Sequence, residues 1–375
     1  MSSHRLLSLI SLALVWTLPL PAASQTKSSE YVYTSNFGDF TLSGFSVDTN
    51  TGSLTALPGS PFPTGIGPEE FAASRDGRFL YVSIGQWSQG GPCGNDLAQA
   101  TSYAIAPATG ELSQLQTVTL PQYCPSDLIV DASGKFVYVA LIDFGPPQKV
   151  GAIAALTSDA GALTPVNGSP FESPIEVPPG QNPAIGALAL GHGGQVLYAS
   201  DPNDPAGILI FDRDTTTGAL AFRTAYNSGT PFGPIITTPS GKYLIAAPTL
   251  GPGIYEYAIG KNGDLTPVPG SPFASPNNNL VTGIAISPNG KFVVISEQGG
   301  VVVERATSTG RLEVVPGSPF GGYFPYTVTF DPSGNFVYVP GTAFQIDPAT
   351  GVLTEVSNFT TGDYAIDITS VKEPN

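Results

Sequence analysis

Histidine is almost missing from this sequence: there are two in 375 residues. One of them, His4, precedes an apolar run at the N-terminus, so the body of the chain keeps only His192. A Ser-His-Asp or Cys-His pair needs an imidazole beside its nucleophile, and His192 lies in the turn Gly191–Gly194, away from any such partner. Histidine-rich zinc sites are excluded on the same ground. Basic residues are also few, with 14 Lys and Arg against 29 Asp and Glu and a formal net charge of −15. A chain this acidic is a poor partner for nucleic acid or an anionic membrane. No Gly-x4-Gly-Lys-Ser/Thr loop appears, and the Gly-Lys pairs at Gly134, Gly241 and Gly290 read as hairpin turns. No stretch carries sustained helical periodicity, so almost no helix is expected.

The long apolar run is Leu6–Leu18, behind His4 and Arg5 and ahead of the small residues Pro21-Ala22-Ala23-Ser24. That order is a secretory signal over residues 1–24, too short in its apolar core for a span and with no stop-transfer pattern after it. The expectation is a mature protein of residues 25–375, secreted or periplasmic, with no membrane span after cleavage. Cys93 and Cys124 both survive cleavage. They map to the same face of the repeat architecture described next, which allows a disulfide in an oxidising compartment; two separate thiols are the alternative.

What the sequence has in quantity is glycine and proline, 44 and 37 residues, and they recur in register. A polar turn on a Gly feeds a β-branched and aromatic run at Arg75–Val82, Asp131–Val139, Thr238–Ala246, Ser287–Ile295 and Asp331–Val339, more weakly at Gly191–Ser200. The turn glycines Gly77, Gly134, Gly194, Gly241, Gly290 and Gly334 are 57, 60, 47, 49 and 44 residues apart, the range of a propeller array. A second motif, Thr-Gly-x-Leu, recurs from Thr51–Leu54 to Thr350–Leu353, with variants at Ala160–Leu163 and Asn262–Leu265. A third, Gly-Ser-Pro-Phe, closes units at Gly59–Phe62, Gly168–Phe171, Gly270–Phe273 and Gly317–Phe320. Each unit reads strand A, Gly turn, strand B, variable loop, strand C, Thr-Gly turn, strand D and connector, which is one four-stranded antiparallel blade. The chain begins on a strand B at Tyr31 and ends on a strand A over Tyr364–Thr369. One blade built from both ends removes a free sheet edge and gives an all-β, seven-bladed β-propeller, expected as a monomer.

In this architecture the B–C loops and D–A connectors share one face of the disc, where the axial funnel opens. Most of the cations fall elsewhere, leaving Lys149 there against many acids, among them Asp39, Glu69, Glu70, Asp127, Glu297 and Asp363. Glu70, Asp127 and Asp363 are candidate oxygen ligands for a divalent cation such as Ca²⁺, whose bound water could attack a lactone without histidine; a solvated acidic rim is the alternative. Glu70, Asp127 and Glu297 are the candidate catalytic carboxylates. Glu69 with the aromatics Trp87, Tyr323, Tyr326 and Tyr364 would suit a neutral sugar or a cationic ligand, and interblade packing is the competing use of the rings.

The repeats of Ser/Asp-Pro-x-Gly-Lys-Phe-x-Tyr-Val with an intervening Asp-x-x-Thr-Gly-x-Leu resemble the seven-bladed lactonase-type propeller family. That family includes bacterial 6-phosphogluconolactonases and muconate-lactonising enzymes and grades into surface proteins with Tyr-Val-Thr-Asn repeats. The resemblance covers roughly residues 31–370. It implies lactone hydrolysis as one reading, with Pro-Arg-His at the start of strand A in the family's enzymes. The same positions here read Pro68-Glu69-Glu70, Pro125-Ser126-Asp127 and Pro325-Tyr326-Thr327, with no Arg or His at the corresponding positions of any repeat, and Glu297 matches the family's strand-B Glu only approximately. Two readings follow: a propeller that binds a neutral sugar, a lactone-like small molecule or a protein partner, and a hydrolase of a non-phosphorylated lactone that could use a divalent metal.

Overall fold

The computed structural model describes residues 30–85, 98–121, 124–142, 151–175, 184–203, 207–249, 251, 253–275, 280–322 and 325–373. Its strands form seven antiparallel sheets. Blade 1 takes its inner strand A from the C-terminal end, Ala365–Lys372, and its strand B from Glu30–Asn36, paired antiparallel. Blades 2 to 7 follow in chain order, with strands A at Pro68–Ala73, Cys124–Val130, Leu188–Gly191, Phe232–Thr237, Val281–Ile286 and Thr329–Phe330. Neighbouring strands A touch all the way round, so the ring is closed. The one helical element among the described residues is the 3-10 turn His192–Gly194.

The turns show why the motifs recur. In the A–B turns the residue three before the Gly caps the start of strand B. Asp131 Oδ1 accepts the Phe136 N–H at 3.0 Å, Asp331 Oδ1 that of Phe336 at 2.7 Å, and the hydroxyls of Ser74 and Ser287 those of Phe79 and Phe292 at 2.9 Å. In Gly-Ser-Pro-Phe the serine hydroxyl accepts a strand-C N–H: Ser60 from Gly44, Ser169 from Ala155, Ser271 from Glu256 and Ser318 from Val303. Each of those four Ser-Pro bonds is cis.

The apolar core is divided into seven clusters, one between each pair of adjacent blades. Burying both faces of each sheet explains the near-continuous apolar reading of strands B. At each seam the first apolar residue of strand B packs on the Thr-Gly turn glycine of the next blade. A Cβ added at Gly218 would lie 2.3 Å from the Phe136 ring, and one at Gly351 2.5 Å from Phe292. Between blades 3 and 4 the seam holds a buried ion pair, Arg213 Nη2 to Asp131 Oδ2 at 2.9 Å. Arg213, at the end of strand C beside the C–D turn of blade 4, also donates to the Tyr138 hydroxyl and lies over the Phe136 ring.

Candidate functional site

The strands A enclose a cavity of about 390 Å³ on the propeller axis. Seven equivalent positions, one per blade, form its wall. Three consecutive blades contribute acids: Asp367 from blade 1, Glu70 from blade 2 and Asp127 from blade 3. The other four contribute Ala187, Pro234, Gly283 and Thr327, small and uncharged. No Lys or Arg lines the cavity among the described residues, and Lys149 lies outside them. The channel is therefore acidic on one arc and neutral on the other.

The two aspartates are held by backbone amides. Asp127 accepts the N–H of its neighbour Leu128 at 2.7 Å and, across the seam, that of Leu188 in blade 4 at 2.6 Å. Asp367 repeats the device at the seam between blades 1 and 2, accepting from Ile368 at 2.7 Å and from Phe71 in blade 2 at 3.0 Å, with the Thr327 hydroxyl at 3.2 Å. Glu70 has no such anchors; its carboxyl hydrogen-bonds Asp367. Burial, followed by the charges of Asp367, Asp127 and Glu69, holds Glu70 well above the usual carboxylate range, so it is the proton donor of the pair. Burial also raises Asp367, against the pull of its amide donors. Asp127 is pushed up to about 7 by burial, opposed by the Leu188 and Leu128 amides.

The other sequence candidates fall elsewhere. Glu69 is buried behind the wall and pushed up to about 8 by that burial, with Oε1 unpartnered among the described residues. Its side chain occupies the space a Cβ at Gly85 would need. Glu297 ends strand B of blade 6, fully buried, and accepts the Ser275 hydroxyl at 2.9 Å; it does not line the cavity. Asp363 is exposed in the connector before blade 1's strand A, its N–H on Asp39 Oδ2 at 2.6 Å. The expected cation trio of Glu70, Asp127 and Asp363 is thus not gathered, and no group of three His, Cys, Asp or Glu suited to a metal occurs among the described residues. The carboxylate the sequence reading missed is Asp367.

Tyr326 and Tyr364 are exposed, Tyr364 by 63%, in the connectors that lead into strands A of blades 7 and 1. Phe40, not singled out in the sequence, joins them on that face from the B–C loop of blade 1. Tyr364 and Phe40 both have positive φ, 49° and 57°, a costly backbone for a bulky residue. Hydrogen bonds hold them there: Tyr364 O accepts the Phe37 N–H and Phe40 O the Thr64 N–H. Trp87, Tyr323, Cys93 and residues 1–24, expected to be a secretory signal, lie outside the described residues. Cys124 is disulfide-bonded, and Cys93 is the chain's one other cysteine. Among the described residues no helix is long and apolar enough to cross a membrane.

Residues 256–369 match the family described as lactonase, 7-bladed β-propeller. Among solved structures, the periplasmic gluconolactonase of Pseudomonas aeruginosa is similar at a TM-score of 0.77 and 21% identity, covering 92% of this chain and 100% of its own. A proposed 6-phosphogluconolactonase from Bacteroides uniformis gives 0.77 and 18%, with the same coverage. A protein from Lactobacillus plantarum gives 0.72 and 18%, covering 92% and 99%. No curated protein matches the chain in sequence. At these identities the likeness establishes the seven-bladed propeller fold and leaves the chemistry to the site.

Proposed function

We propose that this lactonase-type propeller, secreted by way of residues 1–24, binds a small uncharged hydroxyl-rich ligand, a sugar or sugar lactone, in its axial channel. The observation that carries the reading is the division of the wall into three carboxyl groups on adjacent blades and four small neutral positions opposite. A protonated Glu70 beside acceptor carboxylates offers both donors and acceptors, which is what a polyol requires. The neutral arc leaves room for the carbon face of the ring, and about 390 Å³ falls within the usual range for small-molecule sites. A phosphorylated sugar would meet like charge, and no Lys or Arg among the described lining residues would clamp it. Exposed Tyr326 and Tyr364 supply apolar faces beside the entrance.

One observation favours turnover as a second reading. Two carboxyls that share a proton can act as acid and base on a carbonyl and a water, a chemistry that needs neither imidazole nor metal. Calorimetric titration of the mature protein with neutral hexoses, their aldonolactones and a phosphorylated lactone tests the first reading. Neutral ligands should bind, and Glu70→Ala, which removes both donor and acceptor, should weaken them by about tenfold or more. Binding of the phosphorylated compound alone would sink it. Lactone loss above the spontaneous rate, abolished in Glu70→Gln, would select the hydrolase.

A further inference from the structure

The seam between blades 5 and 6 carries an acidic pair that the channel does not use. Glu256 lies in strand C of blade 5, Tyr255–Ile259, and Glu304 in strand C of blade 6, Gly300–Ala306. On the same faces as these two, Ile254 and Val302 belong to the apolar cluster that fills the seam, with Ile245, Val268 and Val293. Glu256 is 1% exposed and Glu304 0%. Among the described residues, Oε2 of Glu256 and both carboxyl oxygens of Glu304 have no hydrogen-bond partner. No described ion pair includes either residue.

Two carboxylates cannot stay ionised in such a place, because a buried charge without a partner costs several kcal/mol and two like charges add repulsion. The groups facing them make matters worse. Glu297, from strand B of blade 6, is a third buried acid whose charge acts on Glu304 together with that of Glu256. Tyr243, from strand B of blade 5, brings a phenol ring that packs on Gly310. Arg311, beside strand D of blade 6, is placed over the Phe273 ring. Arg305, next along the strand, points to the opposite seam and donates to Thr350 O.

We propose that this seam is closed by protons: blades 5 and 6 pack tightly while Glu256 and Glu304 are neutral, and ionisation of the pair loosens them. The consequence for the site is direct, since strands A of these two blades supply Pro234 and Gly283, half of the channel's neutral arc. The device does not depend on what the channel binds. Burial pushes Glu256 up to about 7 and Glu304 up to about 8 from an ordinary 4.5. Both folded values are raised, so their stabilising contribution is complete below the unfolded value and is lost as pH rises through 7 and 8.

The test is thermal unfolding of the full mature protein from about pH 5 to about pH 9, with backbone hydrogen exchange over Tyr255–Ile259 and Gly300–Ala306 corrected for intrinsic rates. Wild-type Tm should fall across this window, and the fall should be shallower in Glu304→Gln and shallowest in the Glu256→Gln/Glu304→Gln double variant. At the alkaline end the two strands should exchange about tenfold faster in wild type than in the double variant. A buried amide shifts Tm equally at every pH, so only the slope is decisive. Should the double variant not fold, Glu304→Met, an apolar replacement of similar volume, carries the same expectation. An unchanged slope, or exchange in these strands that tracks the intrinsic rate in wild type, overturns the proposal.

Discussion

Three carboxyls of one arc play unlike parts because their hydrogen bonds differ. Asp127 spends both oxygens on backbone N–H groups, one of them across a blade seam. Glu70 is anchored to no amide through its side chain and already carries a proton toward Asp367. An amide in place of Glu70 donates much as the protonated acid does, so Glu70→Gln should leave stability near neutral pH within about 0.5 kcal/mol. Asp127→Asn keeps one acceptor and turns an NH₂ toward an N–H, and should cost about 1–3 kcal/mol. Chemical denaturation of both variants measures the difference; an Asp127→Asn as stable as Glu70→Gln would show that the seam bonds contribute nothing net. The pH dependence separates them again. Asp127, raised to about 7 by burial, loses its stabilising contribution as pH rises toward that value. Asp127→Asn should therefore destabilise less at alkaline than at acid pH. Glu70 and Asp127 were legible in the sequence by counting back from the turn glycines. Asp367 was not, because blade 1 is assembled from both ends and no A–B turn glycine precedes its strand B. The acid followed by an aliphatic, Asp367-Ile368 beside Asp127-Leu128, is the signal that would have found it.

At the scale of the strand and turn, the two commonest motifs turn out to be halves of one contact. The sequence shows them alternating but cannot show that the aromatic of one blade lands on the glycine of the next, since that contact is made across a seam. Its energetics separate the two classes of turn glycine. Gly134, in an A–B turn, has φ 71° and open space where a Cβ would stand, whereas Gly218, in a C–D turn, has φ 77° and the Phe136 ring 2.3 Å from that position. Gly134→Ala should cost only the left-handed backbone, about 1–2 kcal/mol. Gly218→Ala adds a steric clash that the ring and seam must relax, for about 2–4 kcal/mol. Equal losses by chemical denaturation would mean that the seam yields freely and that the motif pairing is not a packing constraint. The same seams explain the burial of Arg213, which sits beside a C–D turn. Its neighbours in sequence are turn residues, but its partners Asp131 and Tyr138 come from the preceding blade.

For the whole molecule, seven seams close a ring only if the last blade can be completed. Blade count and closure were legible because the repeat phase runs off both ends of the chain on complementary strands. Ligand identity was not, because the wall positions that would encode it sit in strands A, the least uniform in sequence. Closure rests on Ala365–Lys372 pairing with Glu30–Asn36, and on Asp367 reaching Phe71 in blade 2. Deleting residues 362–375 would expose the edge of strand B in blade 1, leave the Phe71 amide without its carboxylate and open the acidic arc at its first member. An open β edge pairs with whatever strand it meets. The truncated chain should therefore lose a single cooperative melting transition and form dimers or larger species in size-exclusion chromatography. A synthetic peptide of residues 362–375 added in trans should restore both, because its side chains and register are already specified by the groove it left. A peptide with Asp367→Ala should restore the strand pairing and the monomer but lower the recovered Tm, since it fills the edge without the bond to blade 2. A truncated protein that melts like the intact one would show that six complete blades and a three-stranded seventh hold the ring by their seams alone.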